Sequence, residues 1–157
     1  MRVVYIIAFL ATCFVARGAA FSSRFLCKFT HFTNLVSAFA LCSDEPALKG
    51  AAALIALVMC ATYWFTRIAF GPAALYGTYE PLWCDDFIEH TFIPLMVARL
   101  CWNDTPASRR VYRLLILGWA IMVCVFDMPY PVFRKHPFLF CLFTGGALMA
   151  SSFDKKI

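Results

Sequence analysis

Residues 50–66 read GAAALIALVMCATYWFT, a run of 17 residues without a charged side chain. Tyr63 and Trp64 lie near its end, where interfacial aromatic residues are common in membrane helices. A helix needs about 20 residues to cross a bilayer. If Arg67 extends its charged head towards water, the helix continues to Phe70 and reaches that length. The run therefore predicts a first transmembrane helix.

Two further apolar runs follow, at residues 114–126 and 136–153. Basic residues precede the first of them: Arg109, Arg110 and Arg113. Gly145 and Gly146 give the second a face of small residues, which suits close helix packing. Together the three runs predict an all-α, polytopic membrane protein. It has three transmembrane helices after an N-terminal targeting segment or extra helix.

Composition supports the membrane class and excludes several others. The chain has 157 residues, enough for one domain, of which 62% are hydrophobic and 15% charged. Soluble domains have roughly 45–50% apolar and about 25% charged residues. A soluble enzyme, a disordered protein and a nucleic-acid-binding domain are therefore excluded, and the lipid bilayer is the first predicted partner. No nucleic acid is expected, because four of the five net positive charges arise from basic residues before residue 44.

The eight cysteines predict neither a disulfide framework nor a metal site. Cys60, Cys124 and Cys141 lie inside apolar runs, where a thiol behaves as a small hydrophobic group. No two cysteines have the CxxC spacing of zinc or iron–sulfur ligands. The three histidines are far apart in sequence, which argues against a haem-binding pair. We therefore expect no metal and no cofactor bound by this chain.

Residues 1–43 have the composition of a targeting segment. They contain Arg2, Arg17, Arg24 and Lys28 but no acidic residue, and they are rich in Ser, Thr, Phe and Ala. This is typical of a mitochondrial transit segment. The small residues at 18–20 also fit a secretory signal or the start of a plastid address, and a retained first helix is a further alternative. The main prediction is a transit segment at 1–43 and a three-helix membrane domain at 44–157.

A long connection, residues 71–111, separates the first two apolar runs and is predicted to be mostly loop. Its apolar piece at 87–100 is interrupted by charge and proline, which favours an interfacial or re-entrant helix. Within the connection, Asp86 and His90 belong to an Asp-Asp-x-x-Glu-His pattern that one helical face could present to a cation. A solvated loop or helix start is the simpler interpretation. No known catalytic motif is present, so no independent catalysis is expected.

Asp127 ends the second apolar run. An ionisable group at membrane depth is costly and commonly faces a partner or a water path, which makes Asp127 a candidate for a proton path. Alternatively, it lies at the membrane interface, where Pro129 ends the helix.

Residues 101–128 carry a resemblance to a known family. The segment 120–128, AIMVCVFDM, resembles the second helix of subunit 3 of respiratory complex I, the NADH:ubiquinone oxidoreductase. Upstream, 101–109 reads CWNDTPASR and is similar to the loop signature of that family, a Cys-x-x-Asp followed by Pro-Ala-Arg. The order of one helix, a long loop with a cysteine, a second helix with an acid and a third helix also fits.

This resemblance implies a membrane-arm subunit of mitochondrial complex I without a redox centre, at the junction of the quinone site and the membrane arm. Its partners would be other membrane and quinone-site subunits, with ubiquinone nearby in the assembled complex. Asp127 would contribute to the polar route that couples electron transfer to proton translocation. Cys101, Asp104 and Arg109 would lie on the loop that borders the quinone chamber.

The sequence departs from the family at three points. The family has Tyr-Glu before the loop cysteine, whereas this chain has Arg99-Leu100; its Tyr79-Glu80 precedes Cys84, which is therefore an alternative loop cysteine. The second membrane acid of the family is replaced by Pro129, and the loop is longer than usual.

Two other interpretations remain open, and each implies a different compartment or role. The chain could be a structural accessory subunit of another organellar membrane complex. It could also be an accessory protein of a secretory-pathway membrane. The predicted location is the mitochondrial inner membrane, multi-pass, with a secretory or plastid membrane as the alternative.

Overall fold

The computed structural model describes residues 28–76, 83–126, 128 and 130–152. The described backbone is helical, with short links and no strand, which confirms the predicted all-α class. Its elements are α1 (Phe29–Cys42), α2 (Pro46–Phe70), α3 (Ala73–Tyr76), α4 (Trp83–Phe87), a π-helical turn (Ile88–Phe92), α5 (Ile93–Cys101), α6 (Pro106–Phe126), α7 (Pro131–Lys135) and α8 (Pro137–Ala150).

Helix α2 is the central element and has clear start and stop signals. The Glu45 side chain accepts a hydrogen bond from the Ala47 amide at 3.3 Å, and Pro46 occupies the first turn, where its missing N–H costs nothing. The helix ends at Gly71, whose φ of 77° is accessible to glycine. Within the described residues, only this 25-residue helix is long and apolar enough to cross a membrane by length and composition.

The first two turns of α2 bury small side chains around much of the helix, so its neighbours approach closely. Ala51, Ala52, Ala53 and Ala56 are fully buried. At Gly50, an added Cβ would lie 1.9 Å from the Asn103 carbonyl oxygen, so only glycine fits there. Large buried side chains from α6 fill the remaining core: Tyr112, Ile116, Trp119 and Val123.

The contacts define two ends of the helical bundle. At the first end, the start of α2 meets the link before α6, where the Asn103 side chain donates to the Pro46 carbonyl at 3.0 Å. At the second end, the Phe29 amide donates to the Tyr130 hydroxyl at 2.8 Å. Gly50 and Arg67, 17 residues apart on α2, mark these ends. At 1.5 Å per residue, the ends are about 25 Å apart.

Helix α1 lies inside the predicted transit segment, yet it contributes to the core. Phe29, Val36 and Ala40 are buried, and the Phe29 ring packs at 4.7 Å from that of Trp119. Residues 1–27, which carry most of the predicted leader, lie outside the described residues. A leader removed without loss of this packing would therefore end before Phe29, rather than at residue 43.

The connection 71–111 is mostly helical, which corrects the expectation of a long loop. Residues from Trp83 to Cys101 form one continuous helical rod through α4, the π-helical turn and α5, and α5 packs along α2. Pro94 lies in the first turn of α5 and has no N–H to donate. A π-helical turn just before it accommodates that loss of a regular hydrogen bond. One face of the piece at 87–100 packs against the bundle, while Phe92 and Leu100 are exposed, and its interfacial or re-entrant placement stays a prediction.

The other two predicted spans are less clear than α2. Helix α6 has 21 residues but carries three arginines near its start. Helix α8 has 14 residues, about 21 Å, which is shorter than the ~30 Å hydrocarbon core. An added Cβ at Gly145 or Gly146 would meet nothing within 4 Å. The expected close packing on these glycines is therefore absent among the described parts of this chain.

Candidate functional site

A buried group of polar side chains lies at the second end of the bundle. We call it the polar cluster: Thr30 from α1, Tyr63 and Arg67 from α2, Asp86 from α4 and His90 from the π-helical turn. Its central contact is an ion pair between the Arg67 guanidinium and the Asp86 carboxylate. The side chain of Asp86 is completely buried, and that of Arg67 is 9% exposed. A buried carboxylate needs such a partner, because an unpaired charge in a low-dielectric interior is very costly.

His90 is held on three sides. Its Nδ1 lies 3.1 Å from the Asp86 carbonyl oxygen and 3.6 Å from the Asp86 carboxylate. Its Nε2 lies 3.2 Å from the Thr30 hydroxyl, and its ring stacks on the ring of Tyr63 at 3.5 Å and 9°. These contacts fit a neutral imidazole that donates from Nδ1 to the carbonyl and accepts at Nε2. The ring orientation is therefore fixed by α1, α2 and α4 together.

Helical spacing explains why these residues meet. Tyr63 and Arg67 are four residues apart on α2, so they share a face, and Arg67 Nη1 donates to the Tyr63 hydroxyl at 3.0 Å. Asp86 and His90 are also four residues apart, on the helical rod that packs along α2. Trp64 adds a link next to the cluster, because its indole N–H donates to the Thr91 hydroxyl at 2.7 Å.

A cavity of about 60 Å³ adjoins the polar cluster, which exceeds the ~10–15 Å³ that a cavity needs to hold one water. Tyr63, His90 and His31 contribute polar atoms to its wall, while Trp119 and Phe143 supply aromatic surface. Such a wall suits a few waters or a small polar molecule. Two histidines that are 59 residues apart in sequence, His31 and His90, line the same cavity.

The cation site considered for the Asp-Asp-x-x-Glu-His pattern is not supported by this geometry. The Asp86 carboxylate is occupied by Arg67, whose positive charge competes with a metal ion. The described residues contain no group of three or more side chains able to hold a metal ion. The simpler interpretation, a helix start, is correct for α4, but Asp86 and His90 are buried rather than solvated. The arrangement therefore suits holding the His90 ring in place better than binding an ion.

Tyr130, directly before α7, lines the cavity. Its hydroxyl accepts the Phe29 amide hydrogen bond, and burial raises the pKa of Tyr130 to about 12. The hydrogen bonds from Phe29 and Thr30 act in the opposite direction but are outweighed by burial. Tyr130 therefore stays protonated at any physiological pH and ties the start of α1 to the link before α7.

The sequence-predicted site residues lie elsewhere. Asp127 is outside the described residues, and α6 ends directly before it at Phe126. Cys101 is the last residue of α5 and only 2% exposed, so it does not lie on an open loop in this conformation. The alternative cysteine, Cys84 on α4, is exposed.

Asp104 and Arg109 form a two-pronged ion pair at the first end of the bundle. Arg109 Nε donates to Asp104 Oδ1 at 2.8 Å and Nη2 donates to Oδ2 at 3.0 Å. The pair sits where Thr105 caps α6, with the Ser108 amide donating to the Thr105 hydroxyl at 3.1 Å. The structure thus joins Asp104 to Arg109 near Cys101, but about 25 Å from the polar cluster.

The sequence indicates only part of the polar cluster. The spacing of Asp86 and His90 indicated one helical face, but a cation was considered as their partner. Arg67 was assigned to the membrane surface because it follows an apolar run. Two sequence features indicate the pairing of Arg67 with Asp86. One is a lone arginine at the end of a long apolar helix, and the other is a lone Asp–His pair in an apolar segment. Each of these needs a partner when buried.

No protein family, curated protein or solved structure matches this chain. Functional inference therefore rests on the residues, their geometry and the resemblance carried by residues 101–128.

Proposed function

We propose that the chain is a three-span subunit of a mitochondrial inner-membrane complex, in the position of subunit 3 of respiratory complex I. One observation carries this proposal: the order of elements between Cys101 and Asp127. Helix α2 is followed by a segment that ends in Cys101, then by a capped link with Asp104 and Arg109. Helix α6 then ends immediately before the acid.

The distribution of apolar surface supports membrane placement. Large apolar side chains are strongly exposed on α2, α6 and α8, which is unfavourable in water over such an area. Examples are Ile68 at 82%, Val125 at 68% and Leu142 at 65% exposed. The two ends of the bundle, which carry the charged groups, are about 25 Å apart, close to the thickness of a hydrocarbon core.

In this role the chain carries no redox centre and does no chemistry alone. Asp127 at the end of α6 contributes to a polar route that couples quinone reduction to proton translocation. Cys101, Asp104 and Arg109 lie towards the quinone chamber, with ubiquinone bound by neighbouring subunits. The tight contact of the Asn103 carbonyl with Gly50 supports coupled movement of this segment with α2.

The experiment is identification of the native complex. The chain is tagged at its C-terminus, membranes are solubilised in a mild detergent, and the native assembly is separated and identified by mass spectrometry. We expect co-migration with NADH dehydrogenase activity and with the core quinone-site subunits. Migration with another respiratory assembly, or with secretory-pathway proteins, would overturn the proposal.

A matched pair of variants tests the proton role. Asp127→Asn should abolish proton pumping while the assembly keeps its amount and its electron-transfer subunits. Asp44→Asn is the control, because the Asp44 side chain is 91% exposed and distant in sequence from the acid-bearing helix. Unchanged pumping in Asp127→Asn within an intact assembly would remove Asp127 from the proton route.

Thiol labelling tests the loop assignment. Cys101 is buried and Cys84 is exposed in this conformation. If residues 101–109 border the quinone chamber and move between active and resting forms, labelling of Cys101 should rise in one form while Cys84 is labelled in both. A change at Cys84 alone would transfer the loop role to that cysteine.

One observation favours a second candidate, a structural accessory subunit of another organellar membrane complex. The small-residue face at Gly145 and Gly146 is open within the described part of this chain, so a helix of another subunit could pack there closely. On this candidate, Asp127→Asn is silent, whereas Gly146→Leu disrupts assembly. The two variants therefore separate the candidates.

A further inference from the structure

The first end of the bundle carries a groove that shares Arg109 with the proposed function, which gives no role to its other arginines. It lies between the start of α6 and the end of α8 and has a volume of about 580 Å³. Its wall includes Arg110, Arg113 and Leu114 from α6, and Ser151 and Ser152 after α8. We call it the arginine groove. Its volume is in the range of small-ligand sites, roughly 300–1,000 Å³.

The charges of this groove are not neutralised within the described residues. Arg109, at its edge, is paired with Asp104, but no described carboxylate forms an ion pair with Arg110 or Arg113. Residues 153–157 lie outside the described residues, and their sequence, FDKKI, adds one acid and two lysines. The groove is therefore electropositive and lacks a described counter-ion.

Arg113 is held in place by hydroxyl groups rather than by an acid. Its Nε donates to the Ser151 hydroxyl at 2.8 Å, and its Nη2 donates to the Ser152 hydroxyl at 3.2 Å. The Ser151 hydroxyl in turn donates to the Leu148 carbonyl at 2.8 Å. These bonds orient the guanidinium and leave some of its five N–H donors for an anion. Two neighbouring guanidinium groups suit phosphate, which they bind through paired hydrogen bonds.

An apolar stripe leads away from the arginines along α6. Leu114, Leu117, Ile121 and Val125 follow Arg110 at spacings of three or four residues, so all share one helical face. Their exposed fractions are 64%, 44%, 62% and 68%, respectively. From Leu114 to Val125 the stripe is about 16 Å long, which matches one ~15 Å leaflet of the hydrocarbon core.

We propose that the arginine groove and this stripe bind an anionic phospholipid, with the phosphate between Arg110 and Arg113 and an acyl chain along Leu114 to Val125. The charge complementarity selects an anionic head group, and the apolar stripe selects a lipid over free phosphate. Basic pockets between membrane helices bind such head groups. This inference rests on the membrane placement proposed above, but not on the identity of the complex.

The test measures lipid binding to the purified full chain in a neutral detergent by native mass spectrometry. The probes are phosphatidylglycerol and phosphatidylcholine with the same acyl chains. We expect phosphatidylglycerol to bind more tightly, and Arg110→Gln to weaken it about five-fold, the effect of one basic residue near an anionic surface. Arg110→Gln together with Arg113→Gln should weaken it about 25-fold if the two effects are independent.

Matched variants control for charge and folding. Arg99 and Lys135 are exposed and lie outside the groove, so Arg99→Gln with Lys135→Gln removes the same charge and should leave lipid binding unchanged. Arg110 makes no side-chain bond among the described residues, so its single variant keeps the fold even if the Arg113 variant does not. Equal loss in the control pair and the groove pair would overturn the site.

The stripe and the source of the phosphate are tested separately. Ile121→Asn should weaken phosphatidylglycerol binding, whereas Leu142→Asn, an equally exposed position on α8, should not. Excess inorganic phosphate should displace the lipid poorly. If phosphate displaces it fully and Ile121→Asn has no effect, the groove is a free-phosphate site and the lipid proposal is wrong.

Alkaline extraction of native membranes distinguishes failure of the membrane placement from failure of the lipid site alone. Release of the chain from the membrane would overturn the membrane placement and the lipid site together. Retention without preference for the anionic lipid would overturn the lipid site alone.

Discussion

The arginine side chains of the polar cluster and of the arginine groove, at opposite ends of the bundle, differ in whether a carboxylate of the chain pairs with them. In the polar cluster, Arg67 and Asp86 are buried and neutralise each other, and His90 is fixed beside them. In the arginine groove, Arg113 bonds hydroxyl groups, and no described carboxylate pairs with it or with Arg110. Burial explains the difference, since a charge inside the bundle must find its partner in the same chain. A charge at the rim can be left for water or another molecule.

This contrast separates two uses of an arginine next to an apolar helix. Arg67 follows the apolar part of α2 and Arg113 precedes that of α6, so the two look alike in sequence. Arg67 is covered by the helical rod and fastens it to α2. Arg113 remains accessible at the groove. We therefore expect changes at the polar cluster to alter stability, and changes at the groove to alter binding.

The largest expected effect comes from breaking the buried pair. Asp86→Ala removes the carboxylate that neutralises the buried Arg67 guanidinium, which should lower the free energy of unfolding by about 3–5 kcal/mol. The measurement is denaturant or thermal unfolding of the purified chain in detergent. Arg67→Met with Asp86→Leu removes both charges and should recover most of the loss. If Asp86→Ala loses no more than the double variant, the pair does not fasten the rod.

The next effect concerns the close contact at the other end of α2. Gly50→Ala places a Cβ where the Asn103 carbonyl and the Ser108 side chain already lie, so we expect a loss of about 3 kcal/mol, the upper part of the usual range for overpacking. The control is Gly145→Ala, whose Cβ would meet nothing within 4 Å. That variant should be neutral or stabilising by about 0.5–1 kcal/mol. Equal effects at both glycines would contradict the contact.

The sequence predicted the helical class and the main helix, but not which side chains pair between helices. Periodicity and composition predicted the all-α class and the position of α2 to within four residues at each end. The connection 71–111 was misread because its prolines and acids are typical of loops. Pro94 is tolerated in a first helical turn, and Asp86 is neutralised by a residue 19 positions away. Pairing of this kind depends on tertiary contact, which local patterns do not carry.

The candidate site shows the same limit. The resemblance names Asp104 and Arg109 only as loop residues, and their role at a quinone chamber stays a prediction. Their ion pair forms because they are close in sequence at a capped helix start. The polar cluster combines residues from α1, α2, α4 and the π-helical turn, so no motif could have listed it. The assignment of 1–43 to a leader hid Thr30 and His31, which contribute to the cluster and the cavity, respectively.

A smaller effect is expected at alkaline pH at the second end of the bundle, where Tyr130 lies. Burial raises the pKa of Tyr130 from 10 to about 12, so the folded state disfavours the phenolate. This contribution to stability is constant below pH 10, falls as the pH rises from 10 to 12, and levels off above that range. The loss is at most about 2.7 kcal/mol for two pKa units. Unfolding measured between pH 9 and 12 tests it, and Tyr130→Phe should flatten this part of the profile.

The smallest effect on stability is expected at Asp104. The same variant gives the most direct test of the difference between the arginine groove and the polar cluster. Its ion pair with Arg109 is partly exposed, with side-chain exposures of 23% and 19%, so Asp104→Asn should cost less than about 1 kcal/mol. The same change removes one negative charge at the edge of the arginine groove, which makes the local charge more positive by one unit. Binding of phosphatidylglycerol should therefore tighten by up to about five-fold.

Asp44→Asn is the matched control for this change, because its carboxylate is 91% exposed, lies 4.0 Å from Lys49 and does not line the groove. It should leave both stability and lipid binding unchanged. Tighter lipid binding in both variants would mean that net charge alone attracts the lipid. Tighter binding in Asp104→Asn alone would show that the charge at the edge of the groove controls lipid binding. The polar cluster differs in this respect, because its buried charges neutralise each other.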